Sequence, residues 1–220
     1  HWGDLDLLGT DAPLAAACLG LLHLADGRPE RALPELLQAA QTFRAHRALA
    51  QAIAECAFEL EDRALLRGIH AQLSKHVASH DAGLRRVRAD LLALDGRLAE
   101  ARVEYEALSA AAPLDPGLRI RLAALALRQE RPLDALTWLE RGPTGFVDTV
   151  AARLLLARAA AALRDEGRQL RVARWAFLRA ASGSRTAAEI ASCASILRAC
   201  DLDRLAARIE RRARPTGPNE

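Results

Sequence analysis

The chain has no methionine, one tyrosine, three tryptophans and four phenylalanines, so aromatic residues fill only 4% of its 220 positions. Sheets draw their cross-strand packing from aromatic and β-branched side chains, and here Val and Ile are sparse and period-2 alternation is nowhere sustained. An all-β fold is excluded on that ground. No apolar run reaches the length of about 18 residues that a membrane-spanning helix requires. The opening His1-Trp2-Gly3-Asp4 is not a secretory signal, although one could have been removed. Without an initiating methionine, the chain is expected to be a fragment or a processed product. The four cysteines, Cys18, Cys56, Cys193 and Cys200, show neither a CxxC pair nor a Cys/His zinc spacing. Cys193 and Cys200 share a helix face, but at 1.5 Å per residue they lie about 10 Å apart, too far to bridge. Buried free thiols are the expectation, which favours a reducing compartment, the cytoplasm over the periplasm.

Lysine is nearly absent as well. Lys75 stands alone among 31 basic residues, and the formal net charge is only +3 with a pI near 8.9. A GC-rich coding bias accounts for the arginine, alanine and leucine together. Its physical consequence is a set of planar guanidinium forks suited to carboxylates and phosphates. What is abundant is Ala and Leu, both strong helix formers, and the composition predicts about a dozen helices.

The organising motif is Leu94-Asp-Gly-Arg-Leu-Ala-Glu-Ala-Arg-Val-Glu-Tyr-Glu-Ala-Leu-Ser-Ala-Ala-Ala-Pro-Leu-Asp-Pro116. Gly96 marks a helix–helix corner, and Ala101 permits close backbone approach. Tyr105 fills the gap beside it, and Pro113 and Pro116 end the helix. The corner recurs at Asp26-Gly-Arg-Pro-Glu-Arg-Ala-Leu33 and at Glu130-Arg-Pro-Leu-Asp-Ala-Leu136, with Ala135 lying 34 residues beyond Ala101. A weaker copy at Glu166-Gly-Arg-Gln-Leu-Arg-Val-Ala173 follows Ala135 by 38, and Glu61-Asp62-Arg63 replaces the glycine corner in a divergent copy. A fixed period near 34 is the mark of a helix–turn–helix array.

These residues resemble the tetratricopeptide repeat family, in a bacterial-type member, best over about Leu14 to Gly142. No copy carries the tryptophan that the family places early in its first helix. The resemblance implies an all-α fold, a right-handed α-solenoid of stacked hairpins closed by a C-terminal capping helix. Another α-solenoid or an irregular helical bundle is the alternative. The expected organisation is an N-terminal tail or partial helix over 1–12 and about five repeats over 13–184, of which 45–80 is divergent. A terminal hairpin or cap over 185–214 and a disordered tail over 215–220 follow. Punctuation is expected at 142–145 and 182–184.

Chemistry is thin. His76 and His80 are four apart, with Asp81 alongside, but a lone His pair lacks a third ligand and reads as polar residues at a helix C-terminus. His23 is read as a core position. No Ser/His/Asp order, nucleophile elbow, P-loop or GxGxxG is present, so no catalytic residue, cofactor or metal is expected. Arg85, Arg86 and Arg88 cluster, as do Arg204, Arg208, Arg211, Arg212 and Arg214. Balancing acidic residues and scarce aromatics argue against nucleic acid and for a charged terminal cap.

The first helices of stacked hairpins line one side of a solenoid. Helical phase places Arg86, Asp90 and Leu94 there in the third hairpin, Ile120 or Arg121, Ala124 and Arg128 in the fourth, and Arg158 and Ala162 in the fifth. Leu14, Ala17, Cys18 and Leu21 of the first make an apolar stretch. The expected function is a non-catalytic scaffold holding a partner protein or peptide, an acidic one by the charge of this groove. The alternative is a regulatory or assembly domain of a larger enzyme or of a secretion, envelope or polysaccharide-export complex. Self-association through an exposed end is a third reading.

Overall fold

The computed structural model describes residues 12–25, 27–43, 46–140, 149–181 and 187–213, and its regular elements are all helical. Among the described residues there are twelve helices: α1 (Ala12–Ala25), α2 (Pro29–Thr42), α3 (Arg47–Glu59), α4 (Arg63–Leu73), α5 (Ala82–Leu94) and α6 (Leu98–Ala111), then α7 (Pro116–Arg128), α8 (Pro132–Glu140), α9 (Val150–Ala162), α10 (Glu166–Ala181), α11 (Ala187–Ala199) and α12 (Asp203–Ala213). The readings made for 1–11, 142–145, 182–184 and 215–220 lie outside the described residues.

One backbone device generates the hairpins. The backbone turns left-handed at Gly27 (φ 69°), Glu61 (54°), Gly96 (81°), Glu130 (58°), Arg164 (55°) and Asp201 (60°). Successive corners are therefore 34, 35, 34, 34 and 37 residues apart. At Gly96 the N–H bonds Ala93 O at 3.3 Å, and the next N–H, of Arg97, reaches back to Leu92 O at 2.9 Å. The same pair of bonds recurs at every corner: Glu130 to Leu127 O and Arg131 to Ala126 O, or Asp201 to Arg198 O and Leu202 to Leu197 O. Each pair satisfies carbonyls that a helix C-terminus would otherwise leave open, and it reverses the chain within two residues. The following helix is then started by a side chain in two hairpins: Asp62 accepts from Leu65 N at 3.0 Å, and Asp165 from Arg168 N at 2.9 Å.

This register corrects the fifth copy. Its corner is Arg164, not the glycine of Glu166-Gly167-Arg168, which lies inside α10. Two capping hydrogen bonds hold the left-handed conformation there whatever the side chain. The strain at the non-glycine corners predicts a stability gain. Left-handed backbone costs a β-carbon about 1–2 kcal/mol, and glycine's extra freedom in the unfolded chain cancels part of that. Glu61→Gly, Glu130→Gly and Arg164→Gly should each stabilise by about 0.5–1 kcal/mol in urea unfolding, and Gly96→Ala should cost about 0.5–1 kcal/mol. Nothing lies within 4 Å of the position a Gly96 β-carbon would take, so that loss is backbone strain alone.

The chain forms two compact units, His1–Glu104 and Tyr105–Glu220. In the first, α1–α2 and α3–α4 pair as hairpins, and Ala32, Leu36, Ala39, Ala57 and Leu66 are fully buried in its core. Arg85 of α5 grips Glu104 of α6 through Nε and Nη2 at 3.0 and 2.8 Å, so Glu104 serves an interhelical bridge rather than pairing along its own helix. In the second unit α7–α8, α9–α10 and α11–α12 pair around Ala135, Leu139, Ala173, Cys193, Ile196 and Leu197. The spacing alanines Ala32, Ala101 and Ala135 each stand five residues beyond a corner and are wholly inaccessible, as is Tyr105.

Two local expectations change. Helix α4 ends at Leu73, so His76 and His80 sit exposed in the turn before α5 rather than on a helix face. Asp81 accepts from Leu84 N at 3.1 Å as the cap of α5 and pairs with Arg47 at 2.6 Å. Cys18 is exposed, unlike the other three thiols. Burial and Glu55 push the Cys56 thiol up to about 11, and burial raises Cys200 too.

Candidate functional site

Counting back from each corner separates two faces of every first helix. Positions 12, 9, 8 and 5 residues before the corner are Leu49, Ala52, Ile53 and Cys56 in α3, and Ala152, Leu155, Leu156 and Ala159 in α9, all buried. In each unit this face packs on the preceding second helix, α3 on α2 and α9 on α8. Positions 10, 6 and 2 before the corner lie on the other side of the helix and form the candidate ligand face.

The six residues singled out from sequence divide along these lines. In the first unit Arg86 is half-buried and reaches Glu55 of α3 at 3.4 Å, while Asp90 and Leu94 are only 2% and 7% exposed. Leu94 belongs to the apolar core of its unit and is no open lining residue. In the second unit Arg128 and Arg158 are exposed on α7 and α9. Arg121 is 6% exposed because it stands nine residues before its corner, the position that Ala52 and Leu155 fill in α3 and α9. The alternative at this turn, Ile120, is the position in phase with the ligand face.

Sequence reasoning passed over the divergent second hairpin, which supplies Gln51, Glu55 and Glu59 at positions 10, 6 and 2. The face of the first unit is therefore of mixed charge, with Arg86 drawn onto a carboxylate, and not simply apolar followed by basic. The signal was available in the 34-residue offset from Gly27, but without a glycine at residue 61 the register could not be set.

The second unit offers the more open surface. Helix α9 packs against both α7 and α11, so three first helices lie side by side. Their ligand-face positions are Ile120, Ala124 and Arg128, then Leu154, Arg158 and Ala162, then Ala191, Ser195 and Ala199. These positions are mostly apolar, four of them alanine, and Arg128 and Arg158 are the exposed charged residues among them. Several other arginines in this unit make structural contacts. Arg119, 1% exposed, donates from Nε to Trp138 O at 2.9 Å and from Nη2 to Leu139 O at 3.2 Å, closing the last turn of α8. Burial lowers its pKa from the ordinary arginine value. Arg168 holds Glu140 through two bonds of 3.0 and 3.1 Å, and Arg153 and Arg179 stack on Trp175 at 5.1 and 5.4 Å.

No protein-family model matches this chain, and no curated protein matches it in sequence. Solved structures do. The chain is similar to that described as the functional characterization of Pseudomonas aeruginosa pilF, at 17% identity and a TM-score of 0.49, over 96% of this chain and 94% of the other. It is also similar to a tetratricopeptide repeat protein from Parabacteroides merdae, at 15% identity and a TM-score of 0.44, over 96% and 95%. The recurrent corner, the buried spacing alanines and the paired helices decide the architecture. It is an all-helical repeat of paired helices with a period near 34 residues. Among the described residues of this repeat chain no group of three or more His, Cys, Asp or Glu could hold a metal ion, and no helix is long and apolar enough to cross a membrane.

Proposed function

We propose that the chain is a non-catalytic scaffold whose second unit captures an acidic segment of a partner protein on the face formed by α7, α9 and α11. The observation that carries this reading is the exposure of Arg128 and Arg158 among mostly apolar side chains on adjacent helices. Two forks spaced this way suit carboxylates on a helical or extended peptide, and the apolar positions accept its apolar residues.

A peptide display library panned against the chain tests this. Selected binders are expected to combine Asp or Glu with apolar residues, and to weaken as salt screens the pair. Arg128→Glu with Arg158→Glu should weaken them about tenfold to a hundredfold, with helical circular dichroism unchanged. Binders indifferent to both substitutions would remove the electrostatic reading. A second reading, an assembly or regulatory domain of a larger enzyme or of an export complex, is favoured by the leucines exposed on α1.

A further inference from the structure

Helices α10 and α12 lie side by side and close one core, to which α10 gives Val172, Ala173 and Ala176 and α12 gives Ala206 and Ile209. Their exposed residues form strips on the far side of each helix from that core. On α10 the strip runs Leu170, Arg171, Arg174, Phe177 and Leu178, and its two leucines are 70% and 55% exposed. On α12 it runs Arg204, Ala207, Arg208 and Arg211. Exposed leucine and phenylalanine beside a row of guanidinium groups make a surface that neither helix needs for its own packing.

The charges of this face are left without partners. Elsewhere on the same helices and on α11, arginines are paired: Arg168 with Glu140, Arg179 with Glu189 and Arg198 with Glu210. Among the described residues, Arg174, Arg204, Arg208 and Arg211 of the outer strips form no ion pair. Beyond Glu166 and Asp203 at the helix starts, neither helix exposes a carboxylate. We infer that this face seats the chain on an anionic lipid surface, as a peripheral contact that does not cross the bilayer. The pattern selects a bilayer over a protein. Along α10, Leu170, Arg174 and Leu178 follow one another at four-residue spacing. Apolar and basic groups therefore alternate on one line, without the continuous apolar stripe that a partner helix would pack on. A bilayer interface offers phosphate beside acyl chain at every point. Each guanidinium meets a headgroup there, while the neighbouring leucine or phenylalanine reaches the hydrocarbon boundary. The face belongs to second helices, apart from the peptide face on the first helices α7, α9 and α11, and does not depend on it.

Vesicle flotation tests this, with phosphatidylcholine alone against a mixture with phosphatidylglycerol, at low and raised salt. The full chain is expected to float with the mixed vesicles only, and to leave them as salt screens the headgroups. Each guanidinium near an anionic leaflet raises binding about fivefold, so Arg174→Glu with Arg208→Glu should lower partition about a hundredfold. Leu170→Ser with Leu178→Ser keeps every charge and should lower it about tenfold. All four sites are exposed, so circular dichroism and thermal unfolding should match the parent chain in both variants. A full chain that ignores the mixed vesicles at low salt would overturn the inference. In that case, protection of α10 amides from hydrogen exchange by an acidic peptide would assign the face to a protein. Equal binding by the serine variant would overturn it as well, by reducing the contact to the attraction of cations to any polyanion.

Discussion

Arg119→Ala should lower stability by about 3 kcal/mol, several degrees in melting temperature for a chain of this size. The loss should be concentrated in the C-terminal unit. Arg119 is inaccessible to water and gives two hydrogen bonds to the final carbonyls of α8. A helix C-terminus ends in carbonyls without intrahelical partners, and a cation there also opposes the negative end of the helix dipole. Removing the guanidinium returns the cost of its own desolvation, but it leaves the carbonyls of Trp138 and Leu139 without these donors in a packed site. The second effect is larger, because each bond from a charged donor contributes about 1.5–3 kcal/mol. Arg119→Lys should recover only part of the loss, since an ammonium on a flexible stem cannot span both carbonyls as the planar fork does. Hydrogen exchange locates the effect: the amides of α8 should lose protection first, while those of α3 and α4 are unchanged. A methionine in its place that unfolds like the parent chain would show that Arg119 merely fills space.

The same arginine shows where the sequence was legible and where it was not. The period, the helix content and the spacing alanines could be read directly, because glycine and proline mark corners and small residues mark close approach. Four of the six corners, however, are Glu61, Glu130, Arg164 and Asp201. Nothing in those side chains announces a left-handed backbone, which is held by two main-chain hydrogen bonds. The fifth hairpin was consequently set three residues late, on Gly167, and the second was left without a register. An error of one residue in phase then decides whether an arginine faces a ligand or the core. Arg128 and Arg158 fall on the open side, while Arg121, one position from Ile120, falls on the stacking side. Charge alone could not separate them, because arginine in this chain has replaced lysine at structural and exposed positions alike.

The two kinds of arginine also set the limits of the proposed binding face. Arg86 already lies against Glu55, so an acidic ligand there would have to displace a carboxylate of the same chain. Its substitution should alter the α3–α5 contact rather than ligand capture. Binding energy on this reading comes from α7, α9 and α11, where Arg128 and Arg158 are exposed.

Gly20→Ala should destabilise the chain by about 1–3 kcal/mol, although alanine is the better helix former. Gly20 is buried in α1, and a β-carbon there would stand 2.6 Å from Cγ and 2.7 Å from Cδ2 of Leu36, with Ala32 O at 3.2 Å. Leu36 is wholly enclosed and cannot swing aside, so α1 would have to lift from α2. Leu36→Ala alone should cost about 2–5 kcal/mol through the cavity it leaves. The informative measurement is the double variant in urea unfolding. With the leucine branch gone, a methyl group on residue 20 enters vacated space, and the helix recovers about 0.5–1 kcal/mol of backbone propensity. The double variant should therefore be about as stable as Leu36→Ala, with a coupling of about 1–3 kcal/mol between the two sites. Additive losses would mean that α1 and α2 are held apart by something other than this contact.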